Sequence, residues 1–406
     1  MDPHYHPFLV IALIAVLAPL ISELPLRFRV PSVVLEVLCG ILVGPQVLNW
    51  VRADGAVEAL GKVGLCLLFL LAGIEIDFTR IRGKPLQLAV GGWGLSFVIG
   101  VGAAVLLHTL GLVGGPLLVA LALATTAIGT LLPILRDAGE LSNRFGTLTL
   151  AAGAMGEFGP LLVLSLLPLE EGQSVARNAL VVVAFSAVAL VAALIVVRVQ
   201  PPRLIALLKR HLHKTSQLPV RMAVLLVAAL AVFAVELGLE LLIGAFVAGL
   251  IVGMVTRGEE AEPFHHKLDG LAFGFVIPIF FVVTGVKFDL NALLGSTPSL
   301  LCVPLFLVLF LVVRGGPVCL YRRELGRRDR LALAFYSATA LPVVVAITEL
   351  GVATKQMEPG IAAALVGAGM ISLLVFPQIA MGLRAVSLRE PEPGTAPGTT
   401  SPDPVP

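Results

Sequence analysis

Apolar residues along this chain gather in blocks of about twenty, the length a helix needs to cross a bilayer, and short polar stretches separate the blocks. The pattern predicts thirteen spans, at 7–23, 31–49, 60–78, 87–110, 115–135, 145–168, 177–197, 219–236, 240–256, 270–287, 298–320, 331–350 and 359–385. The polar stretches test that count. With the N-terminus outside, the inner loops collect Arg27 and Arg29, Arg80 to Lys84, Arg136 and Arg144, a basic run over 198–221, Arg257 and Lys267, Arg322 to Arg330, and Arg384 and Arg389. The outer loops hold only Arg52, Lys62, Arg177, Lys287 and Lys355. Lys and Arg are retained on the cytoplasmic side of membrane proteins, so the alternation predicts an odd number of spans with the C-terminus inside.

The blocks also repeat. CGILVGP at 39–45 matches AGLIVGM at 248–254, pairing Gly40 with Gly249 and Gly44 with Gly253. LLFLLAGIEIDF at 67–78 matches IFFVVTGVKFDL at 279–290, pairing Gly73 with Gly285, and LLPILRDAG at 131–139 lies over PVVVAITELG at 342–351. Matched spans lie seven apart in order, an odd number, so the two copies cross the membrane in opposite directions. The expectation is an all-α polytopic membrane protein. It has two inverted six-helix repeats, at about 7–168 and 219–385, with 177–197 as a linker helix. Inverted repeats mark secondary transporters, with the site at the repeat interface near the bilayer midplane.

Composition adds little beyond confirming the class: 58% of residues are hydrophobic and 13% charged, against about 25% charged in soluble domains. Cys39, Cys66, Cys302 and Cys319 are scattered singly, which suggests neither disulfide nor metal cluster. The first residues lack the basic start of a cleavable signal, so the first span is expected to be retained. The Pro/Gly/Thr-rich tail over 387–406 is expected to be disordered. No phosphate-binding loop, hydrolase or nucleic-acid motif is present, and no cofactor is implied.

The chemistry concentrates in 151–167, AAGAMGEFGPLLVLSLL. Glu157 lies near the middle of this run, where a charge costs about 2.5–3.5 kcal/mol on insertion scales and almost always faces a bundle interior or an aqueous cavity. Gly153, Gly156, Gly159 and Pro160 surround it, predicting a thin, adaptable helix. Span 5 carries ATTAIGTLLP at 124–133 and its mate, span 12, carries SATALPVVV at 337–345. Small hydroxyl residues with a mid-span Gly or Pro predict crossed, discontinuous helices whose liberated carbonyls coordinate a cation. Thr125, Thr126, Ser337 and Thr339 are the candidate ligands and Thr130 an accessory one, although small residues also line ordinary helix interfaces. Arg314, in LVLFLVVRGGPVCL, is a candidate buried counter-charge, the alternative being a side chain that snorkels to the surface. Glu36 is a further acid within a span, either an interhelical bond or part of the ion path. A lone carboxylate suffices for exchange: burial favours its proton and a nearby cation displaces it, so proton and monovalent cation exclude each other at Glu157. One proton then trades for one cation and no net charge moves.

Glu36 with GILVGP, LLFLLAGIEIDF, the break ATTAIGT with LLPILRDAGEL, the glycine-rich acidic helix and PIFFVVTGVKFDL together resemble the monovalent cation:proton antiporter-2 family over about 7–385. The resemblance implies a homodimeric multi-pass protein of the cell membrane that moves Na+ or K+ against H+ by an elevator-like swing. It implies a core domain of spans 4–6 and 11–13 beside a dimerisation domain. In that pattern Glu157 stands for the family's essential Asp, Arg314 for its second-half Lys or Arg, and Thr125 and Thr126 for the break. The departure is Gly156, where the family has a second polar residue; it leaves Arg314 without that partner. Two other readings are kept: a transporter of an organic solute coupled to Na+ or H+, which should show more polar residues at the crossing, and a non-transporting sensor or scaffold, which should carry an output domain.

Overall fold

A computed structural model describes residues 6–24, 30–76, 81–141, 143–167, 174–199, 216–256 and 261–387. Asp77, most of the basic run over 198–221 and the tail beyond 387 lie outside them. Every regular element among the described residues is helical. The first half holds α1 (His6–Ser22), α2 (Ser32–Val43), α3 (Gly55–Ile74), α4 (Lys84–Thr109), α5 (Pro116–Leu123), α6 (Ile128–Asp137) and α7 (Arg144–Leu166), followed by α8 (Val175–Val199). The second half holds α9 (Leu218–Glu236), α10 (Leu241–Val255), α11 (Glu262–Leu271), α12 (Ile277–Lys287), α13 (Leu290–Leu294), α14 (Thr297–Gly315), α15 (Arg327–Ala338), α16 (Pro342–Ala353) and α17 (Pro359–Ser387). A π-helical turn, Ala272–Val276, joins α11 to α12, so that they run as one span. Eight helical stretches are long and apolar enough to cross a membrane, and five shorter apolar ones accompany them among the described residues.

The helices sort into two groups by what they pack against. In the first, α3 lies along α10 and α12, α2 along α12, α9 along α10, and α1 on α2. In the second, α4 packs on α5 and α7, and α17 on α14, α15 and α16. Linker α8 touches α7 on one side and α10 on the other.

Glycine sets the closeness of the first group. A Cβ on Gly285 of α12 would fall 2.8 Å from the Gly40 Cα of α2, and one on Gly249 of α10 would fall 2.9 Å from the Gly73 Cα of α3. These two contacts are counterparts under the repeat read from the sequence, since Gly40 matches Gly249 and Gly73 matches Gly285. Without side chains the backbones approach directly, and van der Waals contact replaces the hydrophobic drive that lipid cannot supply. The second group is pinned at one end by charge. Arg384 of α17 is bound by Glu140 at 2.9 Å and Asp329 at 2.7 Å, and its guanidinium lies 4.1 Å from the centre of the Phe145 ring.

Gly249→Val tests the closeness of the first group. Overpacking costs about 1–3 kcal/mol, so the detergent-solubilised protein should melt several degrees lower; an unchanged midpoint would show slack between α3 and α10.

Candidate functional site

Two chain breaks meet in the second group. Helix α5 ends at Leu123 and α6 begins at Ile128, while α15 ends at Ala338 and α16 begins at Pro342. Proline at a first helical position needs no amide partner, so α16 can start abruptly at Pro342 in apolar surroundings. The intervening segments bind each other: Ala127 N–H donates to the Thr339 carbonyl at 2.8 Å, and the Thr126 hydroxyl donates to the Ser337 carbonyl at 2.5 Å.

Helix α7 is the third partner. Pro160 lacks an amide hydrogen, so it leaves the carbonyl four residues back, that of Gly156, without its helical donor. That carbonyl accepts from Thr126 N–H at 3.0 Å. The helix runs unbroken through Pro160, and its glycines make it thin where neighbours come close. Gly153 faces the Ile128 side chain, Gly156 faces Arg314 and Thr126, and Gly159 faces the Trp93 indole. Trp93 in turn donates to the Ala124 carbonyl at 3.2 Å, at the end of α5.

Arg314 reaches this point from α14 and is buried, 4% exposed, which removes the snorkelling alternative. Its Nε donates to the Thr126 hydroxyl at 2.9 Å, Nη1 to the Ser96 hydroxyl at 3.1 Å and Nη2 to the Ala152 carbonyl at 3.0 Å. The expectation that Gly156 deprives Arg314 of a partner needs correcting. Neutral oxygens bind the guanidinium, and Gly156 is the space it occupies. A Cβ there would lie 2.5 Å from the Thr126 hydroxyl and would also meet an Arg314 nitrogen. Through Thr126, the fixed cation bears on the carbonyl end of α15, where the helix dipole is negative.

Glu157 is fully buried, at 0% exposure, beside the opposite kind of helix end. The amides of Ile128 and Gly129, the first residues of α6, act on its carboxylate. Neither forms a hydrogen bond of ordinary geometry, and no described residue donates one to either oxygen. An acid at a helix N-terminus is favoured by the dipole, yet buried polar oxygens nearly always have a formed bond. A cavity of about 60 Å³ approaches this point between Glu75, Ile81, Ile128, Leu150 and Ala154.

The remaining sequence candidates divide. The hydroxyls of Thr125, Thr130 and Thr339 donate to the carbonyls of Ala122 (2.8 Å), Ala127 (2.9 Å) and Phe335 (3.0 Å), keeping their lone pairs for other use. Ser337 contributes its carbonyl to Thr126. Glu36 is buried in α2 of the first group, and no described hydrogen bond or ion pair joins it to the crossing. Sequence reading missed Ser96, Trp93 and Ser372. Ser372 receives Ala340 N–H at 3.1 Å beside the second break. The one legible signal was Pro160, four residues beyond Gly156, marking a carbonyl released from its own helix.

The profile for the family described as "Sodium/hydrogen exchanger, transmembrane" matches residues 11–381. The chain is 26% identical over 385 residues to YjbQ of Bacillus subtilis, spanning 91% of this chain and 61% of that one. It is 27% identical over 319 residues to the Na(+)/H(+)-K(+) antiporter GerN of Bacillus cereus, spanning 76% and 79%. Its fold is similar to that of the sodium proton antiporter MjNhaP1 from Methanocaldococcus jannaschii, with TM-score 0.59, 95% and 98% of the chains covered and 15% identity.

A methyl group at 156 tests the Arg314 seat. Gly156→Ala should lower the melting midpoint, by about 1–3 kcal/mol in stability, and the part of that loss due to the guanidinium should vanish in an Arg314→Ala background, the contact with Thr126 remaining. Additive losses in the double variant would separate the two residues.

Proposed function

The chain belongs to the sodium/hydrogen exchanger transmembrane family, and on that premise we propose that it exchanges a monovalent cation, Na+ or K+, for a proton at Glu157 by alternating access. The observation that carries the reading is the carboxylate itself: wholly buried, without a formed donor, and facing a helix N-terminus at the crossing of two broken helices. A carboxylate so placed has two ways to satisfy its oxygens. It takes up a proton and becomes neutral, or it stays ionised and binds a cation. Hydroxyls and carbonyls of Thr125, Thr126, Ser337 and Thr339, with Thr130 as an accessory, would complete the cation's shell, hard oxygen ligands of the kind alkali ions prefer. Since one group serves both ions, binding of one expels the other, and exchange is obligatory if only the loaded forms cross.

Arg314 supplies a charge that does not titrate in the working range. It is held by neutral partners and engages the Thr126 hydroxyl, so it sets the field beside the site and leaves the Thr126 carbonyl as that residue's ligand for the ion. One titrating carboxylate moves one proton against one monovalent cation, and the cycle carries no net charge. Glu36 takes no part in this step.

The whole membrane part, 1–386, is read as one exchanger domain of thirteen spans in two inverted repeats joined by α8. The second packing group moves as the core, and the first acts as the dimerisation scaffold of a homodimer in the cell membrane. On the distribution of basic residues, the face bearing Glu75 and Arg136 is read as the cytoplasmic one. The small cavity near Ile128 then opens from inside.

Everted vesicles report the activity through the pH gradient. Adding NaCl, KCl or LiCl should discharge a preformed gradient without a change in a voltage probe, and Glu157→Gln should reduce the response to background. Cation-dependent discharge that survives Glu157→Gln would remove that residue from its role; a voltage signal would refute electroneutral exchange.

A further inference from the structure

The two packing groups are joined at their faces by ion pairs, and among the described residues those pairs fall into two sets at opposite ends of α3. At the end bearing Ile74, Arg136 in the last turn of α6 binds Glu75 at 2.5 Å and lies 3.7 Å from Asp269 of α11. At the end bearing Gly55, Lys287 of α12 lies 3.3 Å from Glu349 of α16 and 3.3 Å from Glu58 of α3. Glu58 and Glu75 stand about 25 Å apart along the helix, at about 1.5 Å per residue, so the two sets lie on opposite faces. Glu75 also lines the cavity that reaches Ile128.

Glu75 and Lys287 follow the matched glycines Gly73 and Gly285 at equal distance, and α6 and α16 are the matched second halves of the broken helices. The pairs are therefore alike in place and opposite in sign. On one face the first group supplies the acid and the crossing-bearing group the base; on the other face the roles are exchanged. Arg136 and Glu349 each ride on the helix half that leads directly from the crossing.

Resting on the exchange reading above, we propose that Glu75–Arg136 and Lys287–Glu349 are two latches of reversed polarity, one on each face. Both are closed in the one arrangement seen here, so together they hold the crossing-bearing group against the scaffold and favour that arrangement over forms in which the group is displaced. A displacement of several ångströms along the membrane normal carries either pair beyond the reach of an ion pair. Each is partly exposed, with side-chain exposures of 28% and 49% for Glu75 and Arg136 and 29% and 49% for Lys287 and Glu349. Half-exposed pairs are weak enough to part and re-form in every cycle.

The test follows the groups themselves. In the full chain with its four cysteines replaced by serine, spin labels at Ala56→Cys on the scaffold and Lys355→Cys on the core report the distance between them in lipid. Arg136→Gln and Glu349→Gln should each change the ratio of the distance populations by about two- to fivefold, as expected for weak pairs acting on a two-state balance, and in the same direction, away from the arrangement in which both pairs are closed. In a Glu58→Gln background, which removes the acid beside Lys287, the swap Lys287→Glu with Glu349→Lys should restore that background's ratio. Distance distributions unaltered by both neutralisations, or a swap that fails to restore, would overturn the latches. The readout needs no transported ion, so a protein that shows these shifts yet discharges no pH gradient would sink the exchange reading and leave the latches standing.

Discussion

Where Ala127 N–H meets the Thr339 carbonyl, two interrupted helices satisfy each other in a region with little water. Irregular backbone at membrane depth persists only when buried in protein or lining a wet cavity, because an unmet amide or carbonyl costs several kcal/mol there. Each break must therefore find partners elsewhere, and those partners dictate the surroundings. Pro160 releases the Gly156 carbonyl to the Thr126 amide, Trp93 answers Ala124, and Ser372 answers Ala340. The glycines of α7 follow from the same demand, since only a helix with a bare surface lets Ile128, Arg314 and the indole come this close.

The crossing also explains why the two halves, similar in plan, differ in chemistry. Helix ends leave partial charges, positive at N-termini and negative at C-termini. An acid of the first half faces the start of α6, and an arginine of the second half acts through Thr126 on the end of α15. In the second half, the stretch of α17 that matches the acidic helix offers the neutral Ser372. A serine bond is complete in itself. A carboxylate with no formed donor is not, and that asymmetry puts the buried acid in one half of the chain alone.

The scaffold holds together differently. Glycine-lined contacts such as Gly40 with Gly285 fit backbone to backbone, which is stiff and has few alternative packings. The two groups meet each other through α8, short helix contacts and partly exposed ion pairs. Close packing within each group and a weaker boundary between them are what the proposed movement of one group against the other requires.

The sequence by itself determined the helical membrane class, the placing of the breaks at 124–133 and 337–345, and the standing of Glu157 as a buried acid. Each rests on local or periodic signals: block length, proline and glycine in mid-span, a charge in an apolar run. Tertiary structure alone decided what the charges touch. Ser96 lies 218 residues from the arginine it binds, and nothing in its own neighbourhood marks it. Gly156 read as a missing polar group, because a sequence shows the absence of a side chain but not the guanidinium that fills its place. Glu75 and Lys287 stand at span ends with nothing beside them in sequence to mark a partner; their pairing across the boundary depends on which helix halves the crossing brings beside them, and that is set by packing over the whole chain.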